Sequence, residues 1–121
     1  MARSLNRVQL IGNIVKDPEL RYTPKGSAVT DFTVATNRSW KTESGDKKEE
    51  AEFHKIVVWN KLAELCAQFL KKGSAVYVEG RLTTRSWEKD GEKKQTTEII
   101  AEDLVFLDKN GDRTAPAPTE E

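Results

Sequence analysis

Glu52-Phe53-His54-Lys55-Ile56-Val57-Val58-Trp59-Asn60 runs directly into Lys61-Leu62-Ala63-Glu64-Leu65-Cys66-Ala67-Gln68-Phe69-Leu70-Lys71-Lys72-Gly73, and the hydrophobic period changes at the join. Before it, His54, Ile56 and Val58 fall on one side of a two-residue alternation and Phe53, Lys55, Val57 and Trp59 on the other, which is strand patterning. After it, Leu62, Leu65, Cys66, Phe69 and Leu70 form one helical stripe. The spacing predicts a helix over Lys61–Lys72, with Asn60 as N-cap and Gly73 as its C-terminal stop. Helical periodicity occurs nowhere else in the chain, so everything outside this segment has to be sheet or loop.

Working outward toward the N-terminus, Leu5–Ile14 reads as a strand in which Gly12 marks a bulge or sharp bend. Asp17–Tyr22 reads as a short strand turning at Thr23-Pro24-Lys25-Gly26, where Pro presets φ and Gly accepts a positive one. Ala28–Trp40 is the next strand, with Phe32 and Val34 sharing a face with Ala28 and Thr36, and residues 41–51 are expected to be a polar, mobile loop. Toward the C-terminus, Ser74–Trp87 is a strand containing Gly80, Asp90-Gly91 is a hairpin signal, and Lys93 to about Leu107 is the last strand. With the short Asp17–Tyr22 strand set aside, three strands, one helix and two strands give an all-β chain with one helix. That order fits a five-stranded Greek-key barrel of the OB-fold, whose ligand surface lies on the second and third strands and their loops. Residues 1–108 form this domain. Residues 109–121, with Ala115-Pro116-Ala117-Pro118, have nothing to bury and are expected to be a disordered tail.

Composition narrows the function by exclusion. The 121 residues carry 20 Lys and Arg against 20 Asp and Glu, so the surplus of positive charge that usually marks a nucleic-acid binder is missing. Setting aside residues 110–121 leaves 19 basic residues against 17 acidic ones. A binding surface for an anion must therefore come from placing cations on one face. One cysteine, Cys66, allows no intrachain disulfide and fits a reducing cytoplasm. No secretory pattern or membrane-length apolar run is present. One histidine and one cysteine make no zinc ligand set, and no phosphate loop or nucleophile elbow occurs. No cofactor, metal or catalytic residue is expected, and the chain reads as a binding protein.

A barrel buries one side of each strand, and His54, Ile56 and Val58 supply that side. Phe53, Lys55, Val57 and Trp59 are left facing out, with Phe53 and Trp59 roughly 20 Å apart. In the strand after the helix, Tyr77, Arg81, Arg85 and Trp87 share one parity and Val76, Val78, Gly80 and Leu82 the other. Trp40 lies between Arg38 and Lys41, Trp59 near Lys61, and Trp87 near Arg85 and Lys89. Rings interleaved with cations suit an unpaired nucleic-acid strand, because each base offers a π-face and each phosphate a charge. A plainer reading makes the rings core, Tyr77 a subunit contact, and Lys47, Lys48, Lys71 and Lys72 solvated surface. His54, on the apolar parity, reads as a packed core or interface imidazole, and Cys66 as a small hydrophobe.

Leu5-Asn6-Arg7-Val8-Gln9-Leu10-Ile11-Gly12-Asn13 and Asp17-Pro18-Glu19-Leu20-Arg21-Tyr22 resemble the opening of the bacterial single-stranded DNA-binding protein family. Phe32–Asn37, Phe53–Trp59, Lys61–Glu64 and Lys72–Leu82 resemble the same family in order and spacing, so that the likeness spans residues 3 to about 107. The resemblance implies an OB-fold homotetramer that coats single-stranded DNA in replication, recombination and repair. It implies stacking by Trp40, Phe53, Trp59 and Trp87 and basic contacts from Arg3, Lys55, Lys61, Lys72 and Arg85, to which the strand parity adds Arg81. Phe53 stands where a tryptophan is common, and Trp59 where a phenylalanine is. The family's acidic tip with a terminal apolar residue, which recruits replication and repair proteins, is not matched by Thr119-Glu120-Glu121, and recruitment by this chain stays open.

Two other readings compete with sequence-independent binding of single-stranded DNA. One is an OB module for RNA or tRNA, since nothing in the sequence reads a 2′-hydroxyl. The other is an oligomeric interaction scaffold whose aromatic faces are protein interfaces.

Overall fold

The computed structural model describes residues 3–107. Its elements are β1 (Val8–Ile14), β2 (Glu19–Tyr22), β3 (Ala28–Lys41), β4 (Lys47–Trp59), α1 (Asn60–Phe69), β5 (Ala75–Lys89) and β6 (Glu92–Phe106). The sheet runs β1-β5-β6-β4-β3-β2, and β1 also pairs with β3, so five strands close on themselves while the short β2 hangs from the outside of β3. Every pairing is antiparallel except β4 with β6, where Ile56 and Val57 lie parallel to Ile99 and Ile100. A five-stranded barrel closed in this order is the OB-fold expected from the pattern.

The barrel is filled by the parity that the sequence assigns to the inside. Ile14, Phe32, Val34, Ile56, Val58, Val76, Val78, Ile99 and Leu104 are buried, and Ala63, Cys66 and Leu70 of the helix segment close one end. Closure demands close backbone approach at two points. A Cβ on Gly12 would run into the Ala35 carbonyl and the Val34 side chain, and one on Gly80 into the Ile100 carbonyl. Gly80 also adjoins the register shift between β5 and β6, where Glu79 faces Asp103 and Gly80 faces Ala101. Both glycines therefore sit where strands bend to close a barrel.

The structure departs from the sequence reading in three places. Residues 41–51 are mostly strand: β3 runs on to Lys41, β4 starts at Lys47, and the loop shrinks to a turn at Thr42–Asp46. Thr42 N–H donates to the Asp46 carbonyl and Gly45 N–H to the Thr42 carbonyl, so a polar stretch without large apolar groups pairs with itself as a ribbon. Helix α1 is shorter than Lys61–Lys72. Asn60 belongs to its first turn with φ 63°, no side chain caps the start, and Leu70 already has extended backbone angles. Gly73, at φ 94°, serves a separate turn in which its N–H donates to the Ile14 carbonyl. Leu82 keeps the inward parity but stands where β5 leaves the barrel, and its side chain is exposed. The Asp90-Gly91 signal holds: both residues have positive φ, 53° and 78°, as a two-residue type I′ hairpin requires. The tail expected over 109–121 lies outside the described residues.

Candidate nucleic-acid interface

Strand register brings the candidate residues together. Across β3 and β4, Val29 faces Trp59, Asp31 faces Val57, Thr33 faces Lys55 and Ala35 faces Phe53. Arg21 on β2 extends the first of these rows, since it faces Val29 from the other side. On the far side of β4, Val57 lies beside Ile100 of β6, whose neighbours across β5 are Arg81, and then Thr83 opposite Glu98 and Arg85 opposite Thr96. All these residues share the outer parity. One continuous face over β2, β3, β4, β6 and β5 thus carries Phe53, Trp59, Trp87, Lys55, Arg21, Arg81 and Arg85.

The candidate rings are available to a ligand. Phe53 is 64 % exposed, and Trp40, Trp59 and Trp87 are each about 40 % exposed. Trp40 belongs to the opposite parity of the β3–β4 ribbon, opposite Lys48 and in line with Arg38. It stands beyond the core near the turn of the hairpin, and the Arg38 guanidinium lies 4.5 Å from its ring centre. Arg85 covers Trp87 in the same way at 5.3 Å. Next to Trp59 the face hollows into a recess of about 590 Å³ walled by Arg21, Tyr22, Trp59, Arg85 and Glu98, with Val29 at its floor. Tyr22, an exposed ring in this wall, was not among the residues singled out from the sequence.

Charge on the face is organised by two carboxylates. The Arg21 guanidinium lies 3.5 Å from Asp31 Oδ2, and Lys55 Nζ lies 3.8 Å from the same oxygen. Lys55 Nζ also reaches Glu98 Oε2 at 3.3 Å, and Arg85 Nη2 reaches it at 3.1 Å. Arg85 Nε donates to both Glu98 oxygens at 3.3 Å. The Glu98 side chain is 5 % exposed, while Lys55 and Arg85 above it are 41 % and 57 % exposed. Hydrogen bonding from Arg85 holds the Glu98 carboxyl below the ordinary glutamate range, against the opposing effect of burial, and Lys55 adds to the lowering. Glu98 thus keeps its charge at neutral pH. The sequence signal for it was an acid set inside Thr96-Thr97-Glu98-Ile99-Ile100, a run that otherwise reads as strand core.

The remaining candidates stand apart from this centre. Arg81 shares the face but is drawn to Glu102 at 3.2 Å. Lys61 is exposed in the first turn of α1, and Lys72 follows its C-terminal end, where the backbone N–H of Lys72 donates to Asp17 Oδ1 at 2.7 Å. Arg3 is exposed in the segment before β1. His54 is partly buried, its Nε2 2.9 Å from Thr36 Oγ1, as a packed imidazole should be. Among the described residues no cluster of three metal-ligating side chains occurs, and no helix is long and apolar enough to cross a membrane.

A five-stranded OB barrel with exposed rings and cations arrayed over one outer face defines a nucleic-acid-binding module of the single-strand type. The chain belongs to the single-strand binding protein family, whose sequence model matches residues 5–107. It is 52 % identical over 109 residues to single-stranded DNA-binding protein 1 of Chlorobaculum tepidum, covering 88 % of this chain and 67 % of that protein. Among solved structures it is similar to the Plasmodium falciparum SSB complex with ssDNA, with a TM-score of 0.82 and 37 % identity over 89 % of this chain and 99 % of that one. It is also similar to the wild-type single-stranded DNA binding protein of Thermus aquaticus, with a TM-score of 0.78 and 41 % identity over 91 % of this chain. The chain spans about half (53 %) of the Thermus chain.

Proposed function

We propose that this protein binds single-stranded DNA without sequence preference, stacking bases on Trp59, Phe53, Trp87 and Trp40 and pairing phosphates with Lys55, Arg85 and Arg21, with Arg3, Lys61, Lys72 and Arg81 as outlying basic contacts. The observation that carries the proposal is the single outer face on which Phe53, Lys55, Trp59, Arg85 and Trp87 meet by strand register. Family membership and the similarity to an SSB solved with ssDNA support it. The role is binding, not catalysis, and is exercised on exposed strands in replication, recombination and repair within a bacterial cytoplasm. We also propose that the barrel works as a homo-oligomer, a tetramer by family likeness. Ile11, 65 % exposed and facing Tyr77 of β5, leaves apolar surface on β1, a strand that takes no part in the ligand face, and supports this reading.

Base stacking on exposed tryptophans predicts strong quenching of intrinsic fluorescence as oligo-dT is added at low salt, weakening as salt rises. An unchanged emission spectrum would count against the proposal. Competition between poly-dT and poly-U separates a DNA role from an RNA one, and mass in solution with and without oligonucleotide gives the assembly.

A further inference from the structure

Five charged side chains alternate in sign across the whole ligand face, one from each strand: Arg21 on β2, Asp31 on β3, Lys55 on β4, Glu98 on β6 and Arg85 on β5. Each is within 3.8 Å of the next, so the three cations reach the two carboxylates in an unbroken series. The layers differ in depth. Arg21, Lys55 and Arg85 are 41–57 % exposed, whereas Asp31 is 33 % and Glu98 5 % exposed. A phosphate arriving from solvent meets the cations first and finds a fixed negative charge beneath them. Glu98 cannot swing clear, because it is sealed into the sheet between β4 and β5.

We propose that Asp31 and Glu98 act as built-in competitors of the DNA backbone, sharing Arg21, Lys55 and Arg85 with bound phosphates and thereby setting the affinity, the salt response and the release rate of the complex. This rests on the single-strand-binding reading above and adds the residues that limit it. Carboxylates that lie under the cations do two opposed things. They hold the cations across the face, and they repel the incoming phosphate at a separation of several ångström through a partly screened medium. The second effect dominates here, because register fixes the backbones of Lys55 and Arg85 and the Trp87 ring, 5.3 Å from the Arg85 guanidinium, keeps that side chain over the face without the carboxylate, and because repulsion at that range is enough for about threefold to tenfold in affinity. The benefit to the protein is mobility, since a coating protein has to leave the strand as readily as it covers it.

The test uses the full chain and oligo-dT, titrated by tryptophan quenching over a series of salt concentrations, with stopped-flow release into excess competitor. Glu98→Gln keeps the shape and an acceptor oxygen but removes the charge. It is expected to bind about threefold to tenfold more tightly at 0.1 M salt, to release correspondingly more slowly, and to show a log–log salt slope steeper by roughly one, since fuller phosphate neutralisation releases more counterion. Asp31→Asn, at a more exposed position, is expected to move in the same direction and decides the matter if Glu98→Gln does not fold. Tighter binding with a steeper slope in either folded variant supports the proposal. Unchanged or weaker binding in both, with the wild type binding normally, overturns it and leaves the carboxylates as positioning groups. A wild-type chain that ignores the oligonucleotide overturns the functional reading itself.

Discussion

Arg85 grips Glu98 from the neighbouring strand through Nε at 3.3 Å and Nη2 at 3.1 Å, while its guanidinium lies 5.3 Å from the Trp87 ring centre. One side chain thus links a buried carboxylate to an exposed ring. Its placement follows from register, since Thr83 faces Glu98 directly and Arg85, two residues further along the same face of β5, reaches that carboxylate diagonally. A free guanidinium has many rotamers, whereas this one is pinned at both its base and its face.

The Arg85–Glu98 pair should make stability acid-sensitive. Glu98 is held below its ordinary value of 4.5, so the unfolded chain binds its proton more readily than the folded one. The contribution is complete above the unfolded value and is lost as pH falls through the lower folded one. Urea unfolding followed from pH 6 downward should show a steeper loss below about pH 4.5 in the wild type than in Glu98→Gln. Parallel curves would mean that other carboxyls govern acid unfolding.

Removing single rings should separate binding from folding. Trp59→Ala and Phe53→Ala delete exposed side chains on the central strand, and each should weaken oligo-dT binding by about 1–3 kcal/mol while the melting temperature moves little. Tyr22→Ala tests the wall of the recess and should weaken binding toward the lower end of that range. Loss of folded signal in Trp59→Ala would restore the reading of that ring as core.

Barrel closure should not tolerate a methyl group at Gly80. Its Cβ would meet the Ile100 carbonyl, which is backbone and cannot rotate away. Gly80→Ala should lower stability by about 1–3 kcal/mol in chemical denaturation. Gly45→Ala meets no neighbour and is strained only by its φ of 89°, so it should cost about 1 kcal/mol.

The thiol of Cys66 should be silent. It is fully buried on the inner side of α1, and burial pushes its pKa up to about 12. A disulfide-exchange reagent at pH 8 should leave it unmodified in the native protein and titrate one thiol per chain in urea. Rapid modification without denaturant would show that α1 lifts from the barrel.

Much of this was readable from residue order because two-residue alternation reports inside and outside directly. Ile56 and Val58 point in, Phe53 and Trp59 point out, and Asp90-Gly91 turns as its chemistry demands. What escaped were features fixed by pairing partners. Residues 41–51 have no apolar pattern, yet they extend the ladder because the opposite strand offers backbone groups to pair with. The cations beside it group Trp40 with the other rings, but its parity places it on the other side of the ribbon from Phe53. Glu98 was one acid among many until register set Lys55 and Arg85 on either side of it.

Two hairpins, β3–β4 around Thr42–Asp46 and β5–β6 around Asp90-Gly91, run out past the barrel as ribbons whose residues are open to water on both sides. Trp40 and Trp87 ride near their tips, whereas Trp59 is anchored at the rim of the barrel. The spacing between anchored and carried rings is governed by how far a two-stranded arm flexes, and arms bend at far lower cost than cores. In the proposed binding role, a polymer draped over this molecule would therefore meet a grip with one fixed jaw and two fingers carried on arms.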